Sequence, residues 1–162
     1  MIDDMYFVNM ANETMHWNED PNGNGYFAVE EVHMELDIRS QDRNRMQAQG
    51  IWPSYTYFGK MAIHISGHLL ADTPAQLNVY KLKLMRILMP PRTGLAFNNK
   101  IGTFYLKYTG VSEYYYTDCG LEAAPDITIA ALNPSNVPCS LSLKSFLPYM
   151  WGASSGQRIW VA

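Results

Sequence analysis

The sequence predicts a mainly β protein, an antiparallel β-sandwich or barrel with one inserted α-helix. Three observations lead to this fold class. Long segments alternate apolar and polar residues with a period of two, as half-buried strands do. Gly, Pro and Asn recur between these segments as turn residues. Only one segment has a helical period, and uniformly apolar strands typical of parallel α/β sheets are missing from the pattern.

The clearest strand pattern covers residues 26–38. One face carries the apolar residues Val32, Met34, Leu36 and Ile38. The other face carries the polar residues Glu31, His33, Glu35 and Asp37. A second long alternation covers residues 55–70, where Gly59 and Gly67 predict a bend or bulge.

The helix is predicted over about residues 74–88. Thr73 is placed as its N-cap, Pro74 as its first residue and Gln76 as the second half of a capping box. The apolar residues that follow at helical spacing are Leu77, Tyr80, Leu84, Ile87 and Leu88. The pair Pro90-Pro91 ends the helix because proline disfavours the helical conformation of the preceding residue.

Shorter strands complete the prediction, at residues 5–10, 103–109, 114–118, 126–132 and 137–146. Two polar segments, 12–25 and 40–50, are predicted to be loops. Near the C-terminus we expect an aromatic segment to dock on the rest of the chain through Phe146, Tyr149 and Trp151. Residues 1–162 are predicted to form one domain, with 153–162 as a candidate extended tail.

Composition narrows the class of protein. The chain has 162 residues and a net charge of −3, which argues against binding nucleic acid through phosphate contacts. Only 17% of residues are charged, against a usual share of about 25%. With 11 Tyr and 10 Met, this composition is typical of a protein that buries much of its surface against partners, or of one with a large core. The two Cys are predicted to be buried thiols.

No stretch reaches the roughly 20 apolar residues that a membrane-spanning helix needs. The first residues lack the basic and apolar regions of a secretory signal. We therefore expect a soluble protein with no membrane partner.

The sequence predicts no catalytic, metal or cofactor site. It contains no G-x-S-x-G and no Gly-rich phosphate loop. His64 and His68 are four residues apart, which on a strand separates them by about 13 Å. One metal ion cannot bind both side chains at its usual ligand distance of about 2 Å.

Tyrosines leave a second class of function open. Tyr105, Tyr108 and the run 114–116 would form a sugar-stacking platform if enough rings shared one surface. Consecutive strand residues alternate faces, so the competing hypothesis places one ring in the core and others at a rim or an interface.

Two segments resemble the distal tail protein family of siphophages. In YTYFGKMAIHISGHLLADTPAQLNVYKLKLMRILMPP, residues 55–91, a strand ending in an apolar-x-apolar-x-Gly step leads through a short acidic loop into a helix that ends at a proline turn. In SLSLKSFLPYMWG, residues 140–152, a strand runs into an aromatic, a Pro-Tyr pair and an aromatic-Gly pair. The chain departs from the family at Leu147, where Asp is frequent, and at Gly59-Lys60, where Gly-Arg is frequent.

The resemblance implies a non-enzymatic structural protein of the virion. It implies a homohexameric ring at the distal end of the tail tube, assembled in the host cytoplasm, that joins the tail tube protein to the tail-tip hub protein and lets DNA pass. A tail tube or tube-terminator subunit is the nearest alternative. A β-sandwich carbohydrate-binding module for host attachment is a more distant one.

Within such a ring, two groups of residues are candidates for function. The acidic residues Glu31, Glu35 and Asp37 are candidates to line the lumen, with an ordinary solvated outer face as the alternative. The residues expected to reach adjacent subunits or rings are Arg39, Arg43, Arg45 and Trp52.

Overall fold

A computed structural model describes residues 1–19, 25–40, 43–44, 51–52, 56–89, 100–127 and 136–160. These residues form eleven strands and one helix. The strands are β1 (Ile2–Asn9), β2 (Thr14–His16), β3 (Tyr26–Ser40), β4 (Arg43–Asn44), β5 (Ile51–Trp52), β6 (Thr56–Leu70), β7 (Gly102–Tyr108), β8 (Tyr115–Ile127), β9 (Asn136–Ser145), β10 (Met150–Gly152) and β11 (Arg158–Ile159). The helix α1 (Pro74–Ile87) lies between β6 and β7.

Nine of the strands form a single antiparallel sheet, so the predicted mainly β fold with one helix is confirmed. The main order is β2-β1-β7-β8-β9-β6-β3, and β10 and β11 continue from β8. The strands β4 and β5 form a separate two-stranded hairpin. The two longest strands, β3 and β6, are neighbours at one end of the sheet.

The two outer ends of this sheet meet. Trp17, directly after β2, packs edge-on against Phe27 of β3 with ring centroids 5.7 Å apart. The next residue, Asn18, donates its backbone N–H to the Phe27 carbonyl at 2.9 Å. Because β2 and β3 are opposite ends of the strand order, this contact curls the sheet around one core and gives the sandwich its barrel-like closure.

The core inside the curled sheet is built from the alternating residues that the sequence placed on one face. On β6, Met61, Ile63, Ile65 and Leu69 are almost fully buried. On β3, Val32, Met34 and Leu36 pack against the same core but are only half-buried. Both cysteines are buried as free thiols, as predicted, and burial raises the pKa of each to about 12.

The two predicted irregularities of the β3–β6 pair are bulges. The register shifts between Val29 and Glu31, opposite Gly67, and again between Leu36 and Ile38, near Gly59. At Gly67 a side chain is excluded, because a Cβ atom there would lie 2.0 Å from the Ala28 carbonyl oxygen. The first bulge inserts Glu30 and turns both Glu30 and Glu31 outward.

The helix α1 begins and ends close to the predicted positions. Thr73 and Gln76 form the capping box, and Pro74 is the first helical residue. Leu77, Tyr80 and Leu84 are buried in the common core. The Tyr80 hydroxyl accepts the backbone N–H of Phe27 at 3.2 Å, which fixes the helix at the closed end of the sheet.

Two predictions of local structure were wrong or fall partly outside the described residues. Residues 14–16 were predicted as loop and form β2, because they pair with Tyr6, Phe7 and Val8 of β1. Residues 126–127 were predicted to begin a new strand and instead end β8, which is thirteen residues long. The rest of that predicted strand, residues 128–132, lies outside the described residues.

We predict that Trp17 is the most sensitive residue of the sheet closure. Trp17→Ala should lower the free energy of unfolding by about 3–5 kcal/mol, because it removes a fully buried aromatic ring. Trp17→Phe should lower the free energy of unfolding by less than Trp17→Ala does. It keeps an aromatic ring, and it removes an indole N–H that is buried without a hydrogen-bond partner in the described part of the chain. Urea unfolding measures both changes.

The matched control is Trp160→Phe, because Trp160 is 56% exposed and should tolerate the change. Equal unfolding midpoints for Trp17→Ala and this control would show that the closure does not depend on Trp17.

Candidate functional site

The most distinctive surface is the outer edge of β3. One side of β3 pairs with β6 along its whole length. On the other side, only its first residues have partners: Phe27 bonds to Asn18 and Tyr80, and Val29 donates its N–H to Asn18 Oδ1 at 2.6 Å. From Glu31 to Leu36, no second strand or side chain among the described residues bonds to this edge.

This open edge, defined as residues 31–36, spans about 20 Å at the usual rise of a strand. Every second residue along it directs a backbone N–H and C=O away from β6. An edge of this length that is neither short nor covered is a site for pairing with, or packing against, another chain.

The outward face of the same strand carries the predicted acidic residues. Glu31 and Glu35 are exposed and Asp37 is half-buried. The bulge adds Glu30, whose Oε1 lies 2.8 Å from Nδ1 of His68 on β6. The sequence alternation did not place Glu30 on this face because a bulge interrupts the period of two, although Gly67 was a signal for the bulge.

Two histidines face each other across β3 and β6. His33 and His64 are direct cross-strand partners with nearly parallel rings 6.4 Å apart, and His64 Nδ1 lies 3.2 Å from the Ser142 hydroxyl. Sequence reasoning missed the pair because it compared spacings along one strand. The shallow groove around the pair, of about 360 Å³, is lined by Glu31, His33, His64, Ser66, Ser140 and Ser142.

This groove does not have the features of a metal or catalytic site. Two imidazoles fall short of the ligand set of a zinc site. Throughout the described ranges, no group of three or more His, Cys, Asp or Glu is placed to hold a metal ion. The serines of the groove lie on the strand surface, and among the described residues His64 contacts Ser142 with no third residue hydrogen-bonded to His64 to orient it.

The charges of this face are unevenly neutralised. Lys60 of β6 pairs with Glu122 of β8, and this hydrogen bond holds the pKa of Glu122 below its usual value. Glu31 and Glu35 have no cationic partner among the residues that the structure describes. The open edge is therefore bordered by two uncompensated carboxylates.

The tyrosines form a cross-strand ladder on the outside of β1, β7 and β8. Tyr6 and Tyr105 stack with centroids 4.5 Å apart and planes within 9°, and Tyr105 is followed by Tyr116 at 5.6 Å. Tyr6 and Tyr105 contact each other through their ring faces, and a sugar would need such faces to be free for stacking. Tyr108 and Tyr115 pack against the core. The arrangement favours a structural role for these rings over a sugar platform.

The aromatic C-terminal segment lies against the end of this ladder. In β10, Met150 is fully buried and Trp151 pairs with Tyr116 of β8. The Arg158 guanidinium of β11 lies 4.8 Å from the Trp151 ring centroid and 5.0 Å from that of Tyr149. Phe146 is 40% exposed. Residues 158–159 thus pair with β10.

One carboxylate anchors the turn between β10 and β11. Glu113 accepts hydrogen bonds from the Ser155 N–H at 3.0 Å, the Ser155 hydroxyl at 3.0 Å and the Ser154 N–H at 3.2 Å. The bond from the Ser155 backbone is the main cause of a pKa for Glu113 below its usual value. The sequence offered no signal for this contact, because Glu113 and Ser155 are far apart in the chain.

We predict that the C-terminal turn loosens in acid. A lowered pKa means that the folded state favours ionised Glu113, so the stabilisation is complete above the ordinary pKa of 4.5 and is lost as pH falls through the lowered value. The protection factor of the Ser155 amide against hydrogen exchange should therefore be lower at pH 3 than at pH 6. These two pH values lie about one to two units below and above the ordinary pKa of a glutamate.

In Glu113→Gln, this protection should already be reduced at pH 6 and should change little with pH. Glu19→Gln is the matched control, since Glu19 is exposed and is not bonded to the turn. Equal protection of Ser155 at both pH values in the unaltered chain would contradict the assignment.

The remaining candidate residues lie at the far end of the β3–β6 hairpin. Arg39 is in β3, Arg43 is in β4, and Trp52 of β5 is the direct cross-strand partner of Arg43. Arg45 and most of the predicted loop 40–50 are outside the described residues. The structure thus brings Arg43 and Trp52 together, in a small hairpin that continues beyond β3.

No helix in the described ranges is long and apolar enough to cross a membrane.

No protein-family model matches the chain, and no curated protein matches it in sequence. Among solved structures, the chain is similar to the Dit protein of phage SPP1, described as a paradigm of the hub adsorption apparatus in phages that infect Gram-positive bacteria. The two share 12% identity with a TM-score of 0.60, over 91% of this chain and 52% of the Dit protein.

The chain therefore spans about half the length of the Dit protein that it matches. A second solved structure, the tail of an empty GTA particle, is 12% identical over 89% of this chain and 92% of that one, with a TM-score of only 0.39. The resemblance to distal tail proteins that the sequence indicates is thus confirmed at the level of the fold: over most of its length, this chain has the fold of the SPP1 Dit protein.

Proposed function

We propose that the chain is a structural virion protein of a long-tailed phage that assembles with copies of itself into a ring. The observation that carries this proposal is the open edge of β3, which leaves about 20 Å of strand without a second partner among the described residues. Identical copies that join one surface to a different surface of the next copy form either closed rings or open filaments. In a closed ring, both joining surfaces of every copy are occupied by a neighbour.

The place of the ring is proposed from the fold. The fold is shared with a Dit protein that is described as part of a hub adsorption apparatus. By this likeness we place the ring, as a homohexamer, at the distal end of the tail tube at the tail tip. There it would contact the tail tube protein on one side and the hub protein on the other, after assembly in the host cytoplasm.

The proposed role requires no catalysis. Both thiols are buried, and their raised pKa values keep them protonated at neutral pH, so they are poor nucleophiles. The groove at His33 and His64 has neither a metal-binding set nor a positioned nucleophile and base in the described part of the chain. We propose no cofactor.

For passage of DNA we propose that the outward face of β3 borders the lumen. Duplex DNA carries one negative charge per roughly 1.7 Å of its axis. A wall carrying Glu31, Glu35 and Asp37 would repel DNA and keep it from adhering, over a range limited by screening to about 8 Å at physiological salt. A solvated outer face remains the alternative location of these carboxylates.

For contacts beyond the ring we propose the hairpin end. The candidates are Arg39, Arg43, Arg45 and Trp52. Arg39 lies in β3, and Arg43 and Trp52 are cross-strand partners in the β4–β5 hairpin. Arginine and tryptophan are enriched where protein surfaces bind each other. These residues are therefore the proposed contact with an adjacent ring or with the tail tube protein.

We predict that the purified protein forms one assembly with the mass of six copies, and that its cryo-EM structure is a ring with Glu31, Glu35 and Asp37 on the inner wall. Mass photometry followed by cryo-EM measures the two properties. On virions labelled on this chain, negative-stain images should show one collar at the tail tip.

Labels repeated along the shaft would instead assign the chain to the tail tube. A ring with the three carboxylates outside would refute the lumen wall alone. A chain that stays single at high concentration and is missing from the virion would refute the proposed function.

A further inference from the structure

Histidines are concentrated on one face of the sheet. The chain has four, and three of them, His33, His64 and His68, lie on the outward face of β3 and β6. The fourth, His16, lies on β2, where it is the cross-strand partner of Tyr6. Histidine is the side chain whose charge ordinarily changes between about pH 5 and pH 8. The charge of this face is therefore open to control by pH.

Carboxylates surround these histidines on the neighbouring strands. We call this surface the histidine face, formed by the outward residues of β3, β6, β9 and β8, which are consecutive in the sheet. Among the described residues, its carboxylates are Glu30, Glu31, Glu35, Asp37, Glu122 and Asp126, and its lysines are Lys60 and Lys144. Six carboxylates against two lysines leave an excess of four negative charges when the histidines are neutral.

Two of the histidines lie beside carboxylates of β3. His68 Nδ1 is 2.8 Å from Glu30 Oε1. His33 lies between Glu31 and Glu35, each two residues away on the same face of the strand, or about 7 Å along it. A proton taken up by either histidine therefore neutralises part of a local negative charge.

The third histidine acts on the far side of the face. His64 faces His33 with nearly parallel rings 6.4 Å apart. The pKa of Glu122 lies below its usual value chiefly because of the hydrogen bond from Lys60, and Lys144 and His64 lower it further. His64 is thus within electrostatic reach of a carboxylate on β8, with β9 between them.

The charge that the three histidines control is most of the charge of the face. When all three are protonated, the excess of four negative charges falls to one. The face is about 14 Å wide, since neighbouring strands are about 4.8 Å apart. The screening length is about 30 Å at 0.01 M salt and about 10 Å at 0.1 M. At low salt, the charges of one such face therefore act on a second face beside it.

We propose that these histidines make self-assembly of the chain acid-sensitive, so that association strengthens as pH falls from about 8 to about 5.5. The inference rests on the proposed ring and its lumen wall, where the histidine faces of neighbouring copies lie side by side. At the higher pH these faces repel each other, because each has an excess of four negative charges. Protonation removes three of the four from each copy and weakens the repulsion that opposes closure. By linkage, assembly then takes up protons.

The pH dependence of association tests the inference on the full chain. Analytical ultracentrifugation at about 0.01 M salt should give an association constant at least about 10-fold higher at pH 5.5 than at pH 8. These values lie on either side of the ordinary histidine pKa of about 6.5 and above the ordinary glutamate pKa of about 4.3, so the carboxylates stay ionised. At about 1 M salt, where the screening length is about 3 Å, the ratio should approach one.

Substitution of the histidines separates this face from the other titratable groups of the chain. A variant with His33→Gln, His64→Gln and His68→Gln keeps polar side chains but lacks the groups that gain protons, so it should associate equally at both pH values. The matched control is His16→Gln, which removes a histidine outside the face and should keep the full ratio. Circular dichroism at both pH values checks that each variant is folded.

Removal of negative charge should reproduce the effect of acid. Glu31→Gln with Glu35→Gln lowers the excess on the face from four charges to two, so it should strengthen association at about pH 8 in low salt. Asp3→Asn with Glu19→Gln removes two carboxylates outside the face and should leave association unchanged.

Equal association at both pH values in low salt, or stronger association at the higher one, would overturn the inference while the unaltered chain still forms a ring. Persistence of the ratio in the triple histidine variant, or its loss in His16→Gln, would overturn it as well. If the unaltered chain does not associate at either pH, both the proposed ring and its control by pH fail.

Discussion

The rest of the structure depends on the contact that joins Trp17 and Asn18 to Phe27. This contact brings together the two outer ends of a nine-stranded sheet, which otherwise would be an open and two-sided layer. Closure gives the inward residues of every strand a common core, and Tyr80 adds α1 to the same point. Closure also occupies the edge of β3 at Phe27 and Val29. From Glu31 to Leu36, the edge has no second partner among the described residues.

The bulge at Glu30 connects this closure to the proposed contacts between copies. It separates the part of β3 that is bound within the chain from the part that is open, and it keeps Glu31 and Glu35 on the outward face with Val32 and Met34 inward. The bulge requires Gly67 on the neighbouring strand, because any side chain there would collide with the Ala28 carbonyl. One backbone irregularity thus determines where the open edge begins and which charges border it.

The sequence predicted those elements that depend on residues close together in the chain. The strands predicted from alternation at residues 26–38 and 55–70 and the capping box at Thr73 depend on neighbours in sequence. The structure shows the strand β3, the strand β6 from residue 56 onward, and the capping box. Contacts between distant residues were not predictable in this way. The pairing of His33 with His64 depends on strand register, the Glu113 bonds to Ser155 depend on a turn 42 residues away, and β2 exists because β1 pairs with it.

The central claim is that β3 is closed within the chain at its start and open from Glu31 to Leu36. Amide hydrogen exchange, measured by NMR on single subunits at low concentration and by mass spectrometry on the assembly, tests it directly. The Val29 amide should be protected in both states, because it bonds to Asn18. The outward amides of 31–36 should exchange rapidly in single subunits and slowly after assembly. Protection of all these amides in single subunits, or rapid exchange that assembly leaves unchanged, would contradict the account.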